Sequence, residues 1–134
     1  MDWSKVGDPI GAPMQRLVRD ANQMRWDHSA LRSQSLDTTH YDHRNNVFAF
    51  RRWNDQGDVI LTVVNFSGGE WPHFDYAVRT GVGGGWQEIL NSQAPLYDGY
   101  ENSGNGPDAR WSDAGGYVHI RLPKWSVLCF RQVG

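Results

Sequence analysis

One run of residues does most to limit what this chain can fold into. Val59-Ile60-Leu61-Thr62-Val63-Val64 is apolar on both faces of an extended chain. Such a strand needs cover on both sides, which places it centrally in a sheet. Val47–Trp53 precedes it as another strand, and Asn54-Asp55-Gln56-Gly57-Asp58 between them has the composition and length of a hairpin turn. With the central strand drawn as Val59–Phe66, the segments Phe74–Arg79, Gly85–Leu90, Tyr117–Leu122 and Ser126–Gln132 complete the set. Val118, Ile120 and Leu122 alternate with Tyr117, His119 and Arg121, the pattern of a strand with one face in the core and one in water. Pro123 closes that strand, because proline has no N–H for a central ladder. Short strands separated by glycine-rich turns imply a mainly β fold, an antiparallel β-sandwich.

One short N-terminal helix precedes the sandwich. Met14, Leu17, Val18, Ala21 and Met24 recur at helical spacing over residues 13–26, and Pro13 suits a first helical position. Ser29–Arg32 reads as a further helical turn, with Ser29 as its cap. A lone amphipathic helix needs something to cover its apolar stripe; the sandwich or a preceding domain would do so. The glycine-rich stretch from Asn91 to Gly116 has little periodicity, and a connection of that length is usually functional or packed against something else.

The chain has 134 residues, enough for one domain with a proper core. Thirteen basic residues against fifteen acidic ones leave a net charge of −2 and no basic cluster. That balance gives no footprint for nucleic acid or anionic lipid, and no apolar run is long enough to span a membrane. Cys129 is the only cysteine, so no disulfide forms within the chain. With no apolar signal segment in the first ten residues, this favours a reducing, cytoplasmic setting.

Reactive constellations are sparse. Glycosidic chemistry needs two carboxylates at a fixed separation, yet Glu70, Glu88 and Glu101 show no pairing with an aspartate and read as solvated surface. His40-Tyr41-Asp42-His43 invites a metal reading, but His28, His73 and His119 are scattered and the segment reads as a surface turn. Cys129 sits in the apolar run Val127-Leu128-Cys129-Phe130, where a thiol is an inert packing group. Gly81-Val82-Gly83-Gly84-Gly85 leads into a strand and not a helix, so it is a loop and not a phosphate cradle. Asn65-Phe66-Ser67 matches a glycosylation sequon but reads as the close of a strand. Trp71 and Trp111, in polar or glycine-rich surroundings, are the candidates for stacking against a sugar, with ordinary packing as the alternative. Trp86 and Trp125 are assigned to the core or its edge.

Taken in order, several blocks resemble the α-glucan branching enzymes of the α-amylase superfamily. Asp2-Trp3 with Met14-Gln15-Arg16-Leu17-Val18-Arg19-Asp20-Ala21-Asn22 is similar to their last barrel helix, and Ser29-Ala30-Leu31-Arg32 to the short turn that follows it. Asn46-Val47-Phe48-Ala49-Phe50-Arg51-Arg52 and Val63-Val64-Asn65-Phe66-Ser67 resemble the first two strands of their all-β C-terminal domain. Trp86-Gln87-Glu88-Ile89-Leu90-Asn91-Ser92 and Leu122-Pro123 with Ser126-Val127-Leu128 resemble later ones. Gln93 stands where the family carries an aspartate, and Tyr97-Asp98-Gly99 replaces Tyr-Gly-Gly.

The resemblance implies that residues 1–26 are the terminal helix of a missing catalytic barrel plus linker, and that residues 27–134 are a non-catalytic C-terminal β-sandwich domain. Family members cut an α-1,4 glucan and transfer the cut chain to a 6-hydroxyl, with catalytic acids supplied by the upstream barrel. No catalytic residue, metal or cofactor therefore carries over to this chain. Its partners would be that barrel and an α-glucan, with Met14, Leu17, Val18, Ala21 and Asn91 at the barrel interface. On this view the sandwich stays folded without residues 1–26. The rivals are a free-standing glucan-binding module and the same domain from an amylase or trehalose-forming enzyme.

Overall fold

A computed structural model describes residues 11–28, 35–54, 57–97, 99 and 103–133. The helix α1 runs over Gly11–Asp27, slightly longer at both ends than the apolar spacing suggests. Arg25 in its last turn complements the helix dipole. The strands are β1 (Leu36–Asp42), β2 (Val47–Trp53), β3 (Val59–Asn65), β4 (Trp71–Arg79), β5 (Gly85–Asn91), β6 (Arg110–Trp111), β7 (Tyr117–Leu122) and β8 (Ser126–Gln132). A sheet in the order β1-β2-β3-β8-β5-β6 faces a pair formed by β4 and β7, and the pairings are antiparallel. The expected sandwich is what forms, with β3 between β2 and β8 as its two apolar faces require.

Two strands escape the sequence reading. β1 is Leu-Asp-Thr-Thr-His-Tyr-Asp, a polar edge strand interrupted by a register shift between Thr38 and His40. Its lack of apolar alternation hides it, and the segment His40-Tyr41-Asp42-His43 is accordingly the end of a strand and the start of a turn. β6 has two residues and no period to detect. β4 begins at Trp71, earlier than expected, because a bulge with Phe74 at φ 59° lets the chain pair with Leu122 and again with Ile120. The Ser29–Arg32 turn lies outside the described residues.

Register and alternation together define the core. On β2, β3 and β8 the inward rows read Ala49-Val63-Leu128 and, one step toward the far end, Arg51-Leu61-Phe130. Val78, Val118, Ile120 and Leu122 meet them from the opposing pair, and Trp86 is fully buried among them. The other face of the large sheet carries a smaller cluster in which Met24 of α1, Ile89 and Leu90 pack on Ile60 and Cys129. The helix is further tied down by Tyr97, whose hydroxyl donates to Asp20 Oδ2 at 2.5 Å. Part of the helix stripe therefore rests on the sandwich itself.

Candidate functional site

The two tryptophans singled out for sugar contact have different fates. Trp71 packs against the main core, with its ring 4.6 Å from that of Tyr76. The crevice beside it holds only about 10 Å³, room for a single water. Trp111 is 63% exposed and lies over Gly85, where an added Cβ would come within 3.0 Å of the indole. Trp125 corrects an expectation: it is 61% exposed, because the turn before β8 places it at φ 47° and swings it out of the core.

Of the residues proposed to meet a barrel, Leu17, Val18 and Ala21 are half-buried along α1, while the side chain of Met14 lies outside the described residues. Asn91 is buried within the sandwich: its amide donates to Ser103 Oγ at 3.0 Å and its carbonyl accepts from the Gln93 N–H at 2.9 Å. Both of its ends are engaged inside the domain.

Glu88 is not solvated surface. Alternation from Trp86 puts it on the inward side of β5, where its carboxylate accepts the backbone N–H of Asn105. Burial raises its pKa, partly offset by that hydrogen bond. Asn105 also exchanges hydrogen bonds with the backbone of Arg121, accepting at 2.8 Å and donating at 3.2 Å. Residues 103–106 thus plug the gap between β5 and β7, and the described part of the long glycine-rich connection is packed structure. The signal was present in the sequence, since a two-residue period counted from Trp86 reaches Glu88.

His40 and Asp42 belong to a clamp and not to a surface turn. Tyr76 donates to Asp42 Oδ2 at 2.8 Å and lies 3.0 Å from His40 Nε2, while the Arg79 N–H donates to His40 Nδ1 at 3.3 Å. Both imidazole nitrogens are occupied, and among the described residues no group of three or more metal-ligating side chains comes together. Cys129 is buried and its thiol is pushed up to about 11 by burial, so it has little thiolate at neutral pH. Asn65 is also spent: it donates to the carbonyls of Gly69 and Pro123, each at 2.9 Å, and accepts from Ser67. With the side chain 1% exposed, the sequon closes a strand as expected.

A wider opening lies where none was anticipated. At one end of the sandwich Arg51, Trp53, Asn54, Val59, Val82 and Gln132 line a cleft of about 360 Å³. Arg51 and Trp53 share the inward side of β2 with Val47 and Ala49, and Val59 and Gln132 are inward on β3 and β8. The Arg51 guanidinium sits 4.7 Å from the Trp53 ring centroid.

An antiparallel sandwich with a helix against the outer face of its larger sheet defines the class, an all-β domain. The chain belongs to the alpha-amylase C-terminal all-β domain family, whose model matches residues 38–133. It is 38% identical over 142 aligned residues to a 1,4-alpha-glucan branching enzyme of Mycobacterium bovis (strain BCG / Pasteur 1173P2), covering 96% of this chain and 19% of that protein. A 1,4-alpha-glucan branching enzyme of Pseudomonas syringae pv. tomato is 30% identical, over 98% of this chain and 19% of the relative. The chain thus spans about a fifth of the length of these two relatives. The crystal structure of an alpha-amylase from H. orenii matches with a TM-score of 0.51 at 16% identity, covering 82% of this chain and 18% of that one, which supports the fold alone.

Proposed function

We propose that this chain is the non-catalytic C-terminal domain of a 1,4-α-glucan branching enzyme, packing on and stabilising an upstream catalytic barrel in cytoplasmic glycogen metabolism. The observation that carries this reading is the 38% identity to the Mycobacterium bovis enzyme across 96% of this chain, α1 included, while only 19% of that enzyme is spanned. In this arrangement residues 1–26 end the barrel and residues 27–134 form the sandwich. Leu17, Val18 and Ala21 would meet the barrel, while Met24 packs on Ile60 and Cys129. Asn91 supports the interface from behind, holding Ser103 and Gln93 in place. Bond cleavage and transfer would belong to the barrel's acids; Glu88, the carboxylate drawn into this domain, is engaged by Asn105.

The test is a domain exchange. The corresponding part of the Mycobacterium bovis branching enzyme is replaced by this chain, and branching is followed by loss of iodine–amylose colour. The fusion is expected to be active and to unfold in one transition. Leu17→Asp with Val18→Asp is expected to split that transition and lower activity. An inactive, independently melting fusion would remove the reading.

Glucan contact is a second reading, favoured by the exposed indole of Trp111. Trp71 has less to offer, because its ring is packed on Tyr76.

A further inference from the structure

We infer that the cleft at the open end of the sandwich, built on Arg51 and Trp53, is a binding site for the end of an α-glucan chain. This rests on the branching-enzyme reading for the class of sugar, and on the cleft's own chemistry for its place. A pyranose ring presents an apolar C–H face and a rim of hydroxyls, so its receptors combine an aromatic plane with planar polar groups. Trp53 supplies the plane, the Arg51 guanidinium lies 4.7 Å from its centroid, and Asn54 and Gln132 supply amides beside Val59 and Val82.

The polar groups are held in advance. Gln132 Nε2 donates to the Gly83 carbonyl at 2.7 Å, and Asn54 Oδ1 accepts the Asp58 N–H at 3.1 Å. Gly81, at φ 77°, lets the preceding loop settle against Thr39 and Arg51, where a side chain would come within 3.0 Å of Thr39. Arg51 is only 16% exposed, with a loose 3.7 Å contact to Asp37. Its Nε–H is enclosed and meets no acceptor among the described residues, and the Thr39 hydroxyl likewise meets no partner among them. Arg51 borders the cleft, so a sugar hydroxyl entering it would meet the guanidinium as a charged donor. Natural sites of this volume accept small ligands. A single recessed indole suits the curved end of an α-linked chain better than a flat β-linked one, which would need a row of exposed rings.

Maltoheptaose is titrated into the isotopically labelled 134-residue chain, with cellohexaose in a parallel titration. The expected result is saturable movement of the Arg51 Nε–H and Trp53 indole signals with maltoheptaose, and at least a tenfold weaker response to cellohexaose. Trp53→Ala and Arg51→Gln are expected to weaken binding at least tenfold, and Trp111→Ala to leave it unchanged. Movement confined to Trp111 or Trp71, equal response to both sugars, or no response at all would each overturn the inference. Because the signals are read on the parent chain, a variant that fails to fold does not block the test. If the domain exchange is active and the cleft silent, only this inference is lost. If the cleft responds and the exchange fails, only the branching-enzyme reading is lost.

Discussion

The hydroxyl of Tyr76 joins the two sheets of the sandwich by donating to Asp42 Oδ2 across 2.8 Å. The direction of the network follows from its two ends. The Arg79 N–H donates to His40 Nδ1, so the neutral imidazole carries its proton on Nε2 and donates it to the Tyr76 oxygen, which in turn donates to Asp42. Asp42 is also held by Asn45, whose side-chain amide donates to it at 2.8 Å and helps keep its carboxyl below the usual range. Tyr76→Phe removes the shared link, leaving His40 Nε2 without its partner and Asp42 held by Asn45 alone. The expected loss is about 1–3 kcal/mol, measured by urea denaturation with an unchanged slope.

The same network makes stability depend on pH in a stated direction. Burial lowers the His40 pKa below its ordinary value of 6.5. A group depressed in the folded state contributes stability that is present above its unfolded pKa and is lost as pH falls toward the folded one. The depressed carboxyl of Asp42 acts in the same sense at lower pH. Stability is therefore expected to fall as pH drops from about 7 to about 5, and His40→Asn to flatten that slope. Denaturation midpoints across that range decide the matter; an unchanged slope in His40→Asn contradicts the assignment.

Glu88 has the opposite sign. Its pKa is raised by burial, so its contribution is full below the ordinary glutamate value of 4.5 and is lost as pH rises through the folded pKa. Glu88→Gln keeps an oxygen for the Asn105 N–H while removing the buried charge. The variant is expected to melt at a higher temperature than the parent at neutral pH, and the two curves to converge near pH 4. A variant less stable at pH 7 would mean that the ionised carboxylate is what the loop requires.

How far these features can be read from sequence depends on where alternation survives. β2, β7 and β8 were legible to the residue because Val47 and Ala49, Val118 through Leu122, and Leu128 with Phe130 alternate into the core. β1 was illegible: its job is carried by His40 and Asp42 reaching Tyr76, a partner on another sheet that no local pattern announces. Trp125 was misplaced because its left-handed backbone, at φ 47°, overrides the inward habit of a tryptophan. The cleft was hidden because Arg51 and Trp53 look like the frayed end of a strand. Only the pairing of Trp53 with Val59, and the inward side of Gln132, reveal that they line one opening.

Asn65 offers a test of the strand-closing role. It satisfies two carbonyls and accepts from Ser67, locking the turn that follows β3 to Pro123 at the end of β7. Asn65→Ala removes the amide that ties Gly69 to Pro123 and the acceptor for Ser67, leaving the Pro123 carbonyl to Ser126 alone, and is expected to cost about 1–3 kcal/mol. Expression in a glycosylating host is expected to leave the folded domain unmodified at this position, which intact-mass measurement checks.

At the centre of the proposal, this polypeptide serves glucan chemistry without performing it. The most direct measurement incubates the purified chain with amylose and follows new reducing ends and α-1,6 linkages over a day. The account predicts neither above the level of buffer alone. Cleavage or branching by the chain itself, abolished by changing one of its own acidic residues, would contradict it.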